Sequence, residues 1–330
     1  MSKDFVVNIE RLTAGVSQGG FGLILLAVTG ATALQAGLGY KKYADLTAVE
    51  IDYASGAAFN LAKVLFAQTP SPREIAIVAT EGESANDLTT LLDTVKSEDF
   101  FGLVISDNAL RTAATTFADA NKKLFAVTTE STDTTAESDN TILGYHDDID
   151  DKNYVAEALL VHLLLRPIGS TTGKARVLQG ISASEVSEAN LSTLATNNAL
   201  TYIEKYGVAQ TTEGKVSTGE YIDVILGSYF IEFGVEQGLA SLLVNSSKIP
   251  YSNAGIAQLA SVVTKVLRQA VAQDIILQDE DGQGIYTVTY VPREDVSSAD
   301  LADRVYNGLS FEATLAGAIH EATLQGTLVL

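Results

Sequence analysis

Gly15-Val16-Ser17-Gln18-Gly19 has the G-x-S-x-G spacing in which a sharp strand-to-helix turn exposes a nucleophilic serine. His146, His162 and His320 all follow it, so the chain order serine, acid, histidine is available. That chemistry needs a helix directly after the serine. Here Gly20-Phe21-Gly22 follows, then a β-like apolar run, which reads Ser17 as part of a glycine-rich turn. Gly169-Ser170-Thr171-Thr172-Gly173-Lys174 approaches a phosphate loop but is one residue short. Ala175 also stands where a magnesium-binding hydroxyl belongs. Asp279-Glu280-Asp281-Gly282 has the opening of a calcium loop without its distal glutamate, and so reads as an acidic hairpin turn. His146 beside Asp147, Asp148, Asp150 and Asp151 has metal-ligand types, but a carboxylate-rich helix start explains the same cluster. His162, within the apolar stretch Leu159 to Leu165, reads as a satisfied core histidine. No set of residues converges on a reaction. The sequence therefore predicts no catalytic, cofactor-binding or metal-ligating residue, no cofactor, and a protein that is not an enzyme.

Composition narrows the remaining classes. A net charge of -20 opposes binding to nucleic acid, which needs clustered Lys and Arg. From Leu124 to Asp151 there is no basic residue, and the stretch reads as a solvated acidic loop and helix entry. With no cysteine, disulfides and thiolate chemistry are excluded. The first ten residues lack a basic segment followed by an apolar one, so the chain reads as made and kept in a cytoplasm. Residues 12 to 40 are uncharged, but Gly15, Gly19, Gly20, Gly22, Gly30, Gly37 and Gly39 break them into short buried strands rather than a membrane span.

Period-3.6 stripes and short apolar runs alternate from about residue 40. Helices are expected over Ser55 to Gln68, Ser84 to Lys96 and Asn108 to Asn121, and strands over Glu74 to Ala79, Phe101 to Ile105 and Leu124 to Thr128. This alternation implies an α/β core, a central mostly parallel or mixed sheet with helices on its faces. Further on come helices at Asn153 to Arg166 and Val186 to Asn197. Strands are expected at Ala175 to Gln179, Thr201 to Ala209 and Lys215 to Thr218. After Gly219 the texture changes to two long helices, Glu220 to Val244 and Ala254 to Gln273. A hairpin follows around Asp281-Gly282, with arms at Ile275 to Leu277 and Tyr286 to Val291, then a short helix at Ser298 to Tyr306 and a strand at Ser310 to Leu315. That gives four segments: an N-terminal arm (1–20), an α/β core (21–219), an α+β C-terminal domain (220–318) and a C-terminal arm (319–330).

Both arms alternate. Phe5, Val7 and Ile9 face one way, Val6, Asn8 and Glu10 the other. Ala322, Leu324, Leu328 and Leu330 likewise oppose polar neighbours. A strand with one apolar face and unpaired edges needs a sheet to join, within its own subunit or in a neighbour.

Three blocks near the C-terminus carry a resemblance: Tyr290-Val291-Pro292-Arg293, Ala302-Asp303-Arg304-Val305-Tyr306-Asn307-Gly308, and Phe311-Glu312-Ala313-Thr314-Leu315-Ala316-Gly317-Ala318-Ile319-His320. They are similar to contractile tail sheath proteins of phages and phage-derived bacteriocins, as is the opening Val6-Val7-Asn8-Ile9 with Gly19-Gly20-Phe21-Gly22. The middle of the chain matches mainly in texture. The resemblance implies a structural subunit that polymerises as stacked hexameric rings around an inner tail tube. Contraction of the rings drives the tube through a target envelope. Phe5, Val7 and Ile9, with Ala322, Leu324, Leu328 and Leu330, would lie on strands passed between subunits. Lys265 and Arg268 would be candidates for tube contact. Baseplate and tail terminator proteins would be further partners, and the particle would be a tail assembled in a bacterial cytoplasm. Two other readings stand beside it. One is an α/β enzyme or ligand-binding domain using Ser17 or Asp107 at the strand ends. The other is a tail tube protein, which the strand–helix repeats oppose.

Overall fold

The structure, a computed structural model, describes residues 20–132, 138–150 and 152–320. Leu23 to Val28 is too short and too flanked by glycine for a core helix. It folds as β1 (Ile24–Val28), buried on both faces as a strand between helical layers must be. The helix α1 (Ala33–Ala36) is capped by Thr32. The edge strand β2 (Lys41–Tyr43) follows, then α2 (Leu46–Asp52), capped by Asp45. Next come α3 (Ala57–Ala67), β3 (Ile75–Ala79), α4 (Ala85–Val95), β4 (Gly102–Ile105), α5 (Arg111–Asn121) and β5 (Leu124–Thr129). These are the repeats predicted from periodicity. Ser84 starts α4 through a capping box with Asp87, which holds that carboxyl below its usual range. The large domain is completed by β6 (Thr141–Tyr145), α6 (Val155–Leu164), α7 (Glu188–Thr196), β7 (Leu200–Lys205) and β8 (Val208–Thr211).

Among the described residues eight strands form one sheet in the order β2-β3-β1-β4-β5-β6-β7-β8. Six are parallel, and β2 and β8 run antiparallel at the two edges. Alternate residues of β1 feed two cores. Ile24, Leu26 and Val28 pack with Leu61 and Leu65 of α3 and Leu160 and Leu164 of α6. Leu25 and Ala27 pack with Leu88 and Leu92 of α4 and Phe117 of α5. The α/β architecture inferred from sequence is the architecture observed.

Four local readings change. The acidic run after Leu124 hides β6, whose five residues are all buried, because Asp and Glu cluster on its flanks and not within Thr141–Tyr145. Thr201 to Ala209 is not one strand but the hairpin β7–β8, turned at Tyr206 and Gly207, which both take positive φ (54° and 78°) as a tight turn of this kind requires. Ala175 to Gln179 forms no strand; it hangs on β8 by the Ala175 amide to Thr211 O and the Thr211 amide to Arg176 O. Lys215 makes a single bridge to Tyr221 in place of a strand over Lys215 to Thr218.

The two long helices are α8 (Ile222–Asn245) and α9 (Asn253–Ala272), joined in a helical hairpin. At 24 residues α8 is about 36 Å long. Its first half (Ile222, Leu226, Tyr229, Phe233) belongs to the large core, while Ile231, Val235 and Leu239 belong to a second core with Leu259, Val263 and Leu267 of α9. One helix is thus shared by both hydrophobic cores. β9 (Tyr286–Tyr290), α10 (Ser298–Asp303) and β10 (Leu309–Ala313) complete the smaller unit, a two-stranded antiparallel sheet laid on α9. The expected hairpin around Asp281-Gly282 exists with a short stem, in which Gln278 bridges Gly284 and the Ile285 amide donates to Leu277 O. Beyond the stem β9 pairs with β10, and Ile276 bridges Leu315.

Candidate assembly surface

Alternation builds the small sheet. Tyr286 and Val288 of β9 and Leu309, Phe311 and Ala313 of β10 turn toward α8 and α9. Thr287, Thr289, Ser310 and Glu312 face solvent. Thr289 sits opposite Ser310, and their hydroxyls meet at 2.7 Å. The inward side chains are only half-buried, unlike every residue of β1. Among the described residues no further strand pairs with either β9 or β10, so each presents an open edge. A cross-strand pair of this size does not stand alone, and its apolar face depends on α9.

Beside β9, α9 carries an open groove of about 600 Å³. Ala257, Ser261, Thr264, Lys265 and Arg268 line it, and Tyr290 closes one side. The two basic residues singled out from sequence therefore lie one helical turn apart in the same groove, both exposed. Phe5, Val7, Ile9, Ala322, Leu324, Leu328 and Leu330, the proposed exchanged-strand positions, lie outside the described residues.

The competing chemical sites dissolve into structure. In a sheet of this order a ligand belongs in the crevice between the carboxyl ends of β1 and β4, where the connections diverge to opposite faces. The chain closes that crevice itself. The Thr29 amide donates to Ser106 Oγ at 3.0 Å, and the Gly30 amide to Gly82 O at 3.1 Å. Asp107 caps the turn that follows, accepting from the Ala109 amide at 2.9 Å. Ser17 lies outside the described residues. The Gly169 to Lys174 loop packs by backbone contact. A Cβ on Gly169 would fall 2.9 Å from Gly227 Cα, and Lys174 faces Glu213 at 3.6 Å. Asp279 accepts from the amides of Asp281 and Gln283, so the calcium-like segment spends its carboxylate on its own turn.

The three histidines lie apart. His146 Nδ1 accepts from the Asp148 amide at 3.0 Å while Nε2 reaches Ser182 O at 3.0 Å, and no metal-binding group of side chains occurs among the described residues. His162 is buried on α6, but its Nε2 has no partner, contrary to the satisfied state expected. Burial first, then Arg166 and Arg176, push its pKa down to about 4. His320 contacts Thr172 and Glu213.

Buried charges at two places give no surface signal and were not legible in sequence. Glu157 on α6 accepts from the Thr128 amide (3.0 Å) and the Thr128 hydroxyl, stapling α6 to the end of β5, and burial raises its pKa. Lys122, in the left-handed cap of α5, pairs with Glu232 of α8 inside the protein. Each is enclosed by helix and sheet rather than lining a cleft. No helix among the described residues is long and apolar enough to cross a membrane.

No protein-family model and no curated protein matches the chain. Solved structures do. A chain of the anti-feeding prophage baseplate aligns with a TM-score of 0.72 at 13% identity over the whole of both chains. A chain of the contracted sheath complex of an extracellular contractile injection system aligns at 0.70 and 11% identity, over 98% of this chain and 96% of that one. The sheath tail protein from Listeria innocua aligns at 0.58 and 11% identity, over 93% of this chain and 96% of that one. Across nearly its full length, this chain shares the fold of subunits in contractile sheath structures.

Proposed function

We propose that this chain is the sheath subunit of a contractile tail or injection particle, a structural polymer-former and not an enzyme. The observation that carries the reading is the full-length likeness to chains of sheath and baseplate assemblies, for an α/β body joined to a small open sheet. Two further features support it: two amphipathic terminal segments in search of a sheet, and a two-stranded sheet with two open edges. In this reading residues 5–12 and 319–330 of neighbouring copies add to β9 and β10. Main-chain hydrogen bonds supply strength, and the alternating apolar faces set register.

Copies linked this way form stacked hexameric rings around an inner tube. The rings assemble extended and repack into a shorter, wider lattice, and the tube is driven through a target envelope. Because α8 is shared by both cores, each body moves almost rigidly while the strands keep the lattice connected. The groove with Lys265 and Arg268 is the candidate tube contact, and the baseplate and a tail terminator engage the ends. No nucleotide is needed, since the energy is stored in assembly. The particle is a tail put together in a bacterial cytoplasm. An α/β enzyme is disfavoured by the self-closed crevice at β1 and β4.

Deleting residues 1–12 is the test. The account expects a folded, soluble monomer that forms no long tubes under conditions where the full chain does. Tubes of normal length from the truncated protein would show that the N-terminal strand is not a linker.

A further inference from the structure

Past β10 the chain leaves the small sheet and returns to the large domain. Among the described residues its last backbone tie to the small unit is the Ala316 amide, which donates to Ile275 O at 2.9 Å. Gly317 then turns with φ 64° into open space, and Ile319 is 91% exposed. The segment is caught again at His320. Its Nδ1 lies 3.0 Å from Glu213 Oε1, its Nε2 lies 2.8 Å from Thr172 Oγ1, and its ring stands edge-on to Tyr221 at 4.8 Å. A carboxylate only accepts, so Nδ1–H donates to Glu213. In the neutral ring Nε2 then accepts from the Thr172 hydroxyl, and both nitrogens are satisfied. Thr172 and Glu213 are more than a hundred residues from His320 and belong to the large domain, and Lys174 faces the same carboxylate.

From this geometry we infer that His320 is a releasable clasp fixing the root of the C-terminal strand to the large domain. The inference rests on the linker-strand reading of the residues beyond it. Closed, the clasp holds the chain up to His320 against the large domain. Open, it frees Gly317 to His320, and four residues of extended chain add about 13–14 Å of reach. Gly317 is the swivel: its left-handed conformation suits glycine, and a Cβ placed there would meet nothing within 4 Å. The tether therefore has two lengths, which suits a lattice whose copies change spacing. Two hydrogen bonds and one ring contact hold it, few enough that the clasp opens under the load of repacking without unfolding either unit.

The chain has no cysteine, so two spin labels can be placed without background, at Ala318→Cys on the strap and Ser192→Cys on α7. Distances between them are read by pulsed electron resonance on the dilute, unassembled full-length chain. A single narrow distance is expected with His320 present, broadening at least twofold in His320→Ala and again in Glu213→Ala. Thr172→Val, which removes one bond only, should give intermediate width. Equal widths in all four proteins, or a broad distribution with His320 intact, would overturn the clasp. The readout needs no polymer, so a failure to form tubes bears on the sheath reading alone.

Discussion

Individual buried charges decide how this protein responds to mutation and pH. Lys122 and Glu232 are 2% and 5% exposed at their side chains, and they join the sheet-side helix α5 to the spine α8. Glu232→Ala removes the carboxylate that faces this buried ammonium, with an expected loss of about 3–5 kcal/mol in urea unfolding. Replacing both with apolar residues of similar volume (Lys122→Met with Glu232→Leu) should recover most of that loss. His162 sets an acid limit. The unfolded ring takes a proton near pH 6.5, while the folded ring resists until about pH 4. The unfolded state thus binds more protons within that window, so stability falls as pH drops through it. The expected loss is about 2 kcal/mol, below the full shift because solvent screens the margin of the core. His162→Leu should flatten unfolding free energy over the same window, and an unchanged slope would place the acid sensitivity elsewhere.

At the scale of elements, the helical hairpin rests on glycine. A Cβ on Gly234 would come within 2.9 Å of Val266 Cγ1, and one on Gly238 within 2.5 Å of Val262 Cγ1. Each glycine costs helix stability, about 1 kcal/mol relative to alanine. The close approach of α9 offsets that cost. Gly238→Val should destabilise by about 1–3 kcal/mol and loosen the small sheet carried on α9, read as faster amide exchange in β9 and β10 than in β1. The repeats through β5 were legible because each is local: an apolar stripe, a cap such as Ser84, a proline or asparagine stop. β6 was not, since burial on both faces removes alternation and acidic flanks masked five residues. The pairing of β9 with β10, from Leu309 opposite Tyr290 to Ala313 opposite Tyr286, is a non-local contact that no local pattern encodes. Lys265 and Arg268 could be named from the polar face of α9, but the groove they share exists only once Tyr290 is beside it. The clasp at His320 joins residues 107 and 148 positions apart, a distance at which sequence pattern carries no information.

The whole molecule joins an α/β body to a small two-stranded sheet, and in the proposed assembly its charge shapes how copies meet. At -20 per subunit, copies repel over about 10–30 Å at low ionic strength. Raising salt from about 0.01 M to 0.1 M shortens that range and should accelerate polymer formation, monitored by light scattering. Slower assembly at higher salt would mean that ion pairs between copies, rather than strand pairing and apolar contact, drive association. The central claim is assembly itself, and imaging the concentrated full-length protein by negative-stain electron microscopy, alone and with its inner tube, tests it most directly. The account predicts hollow, cross-striated cylinders of variable length, at the latest when the tube is supplied as template. Uniform single particles under both conditions would contradict it.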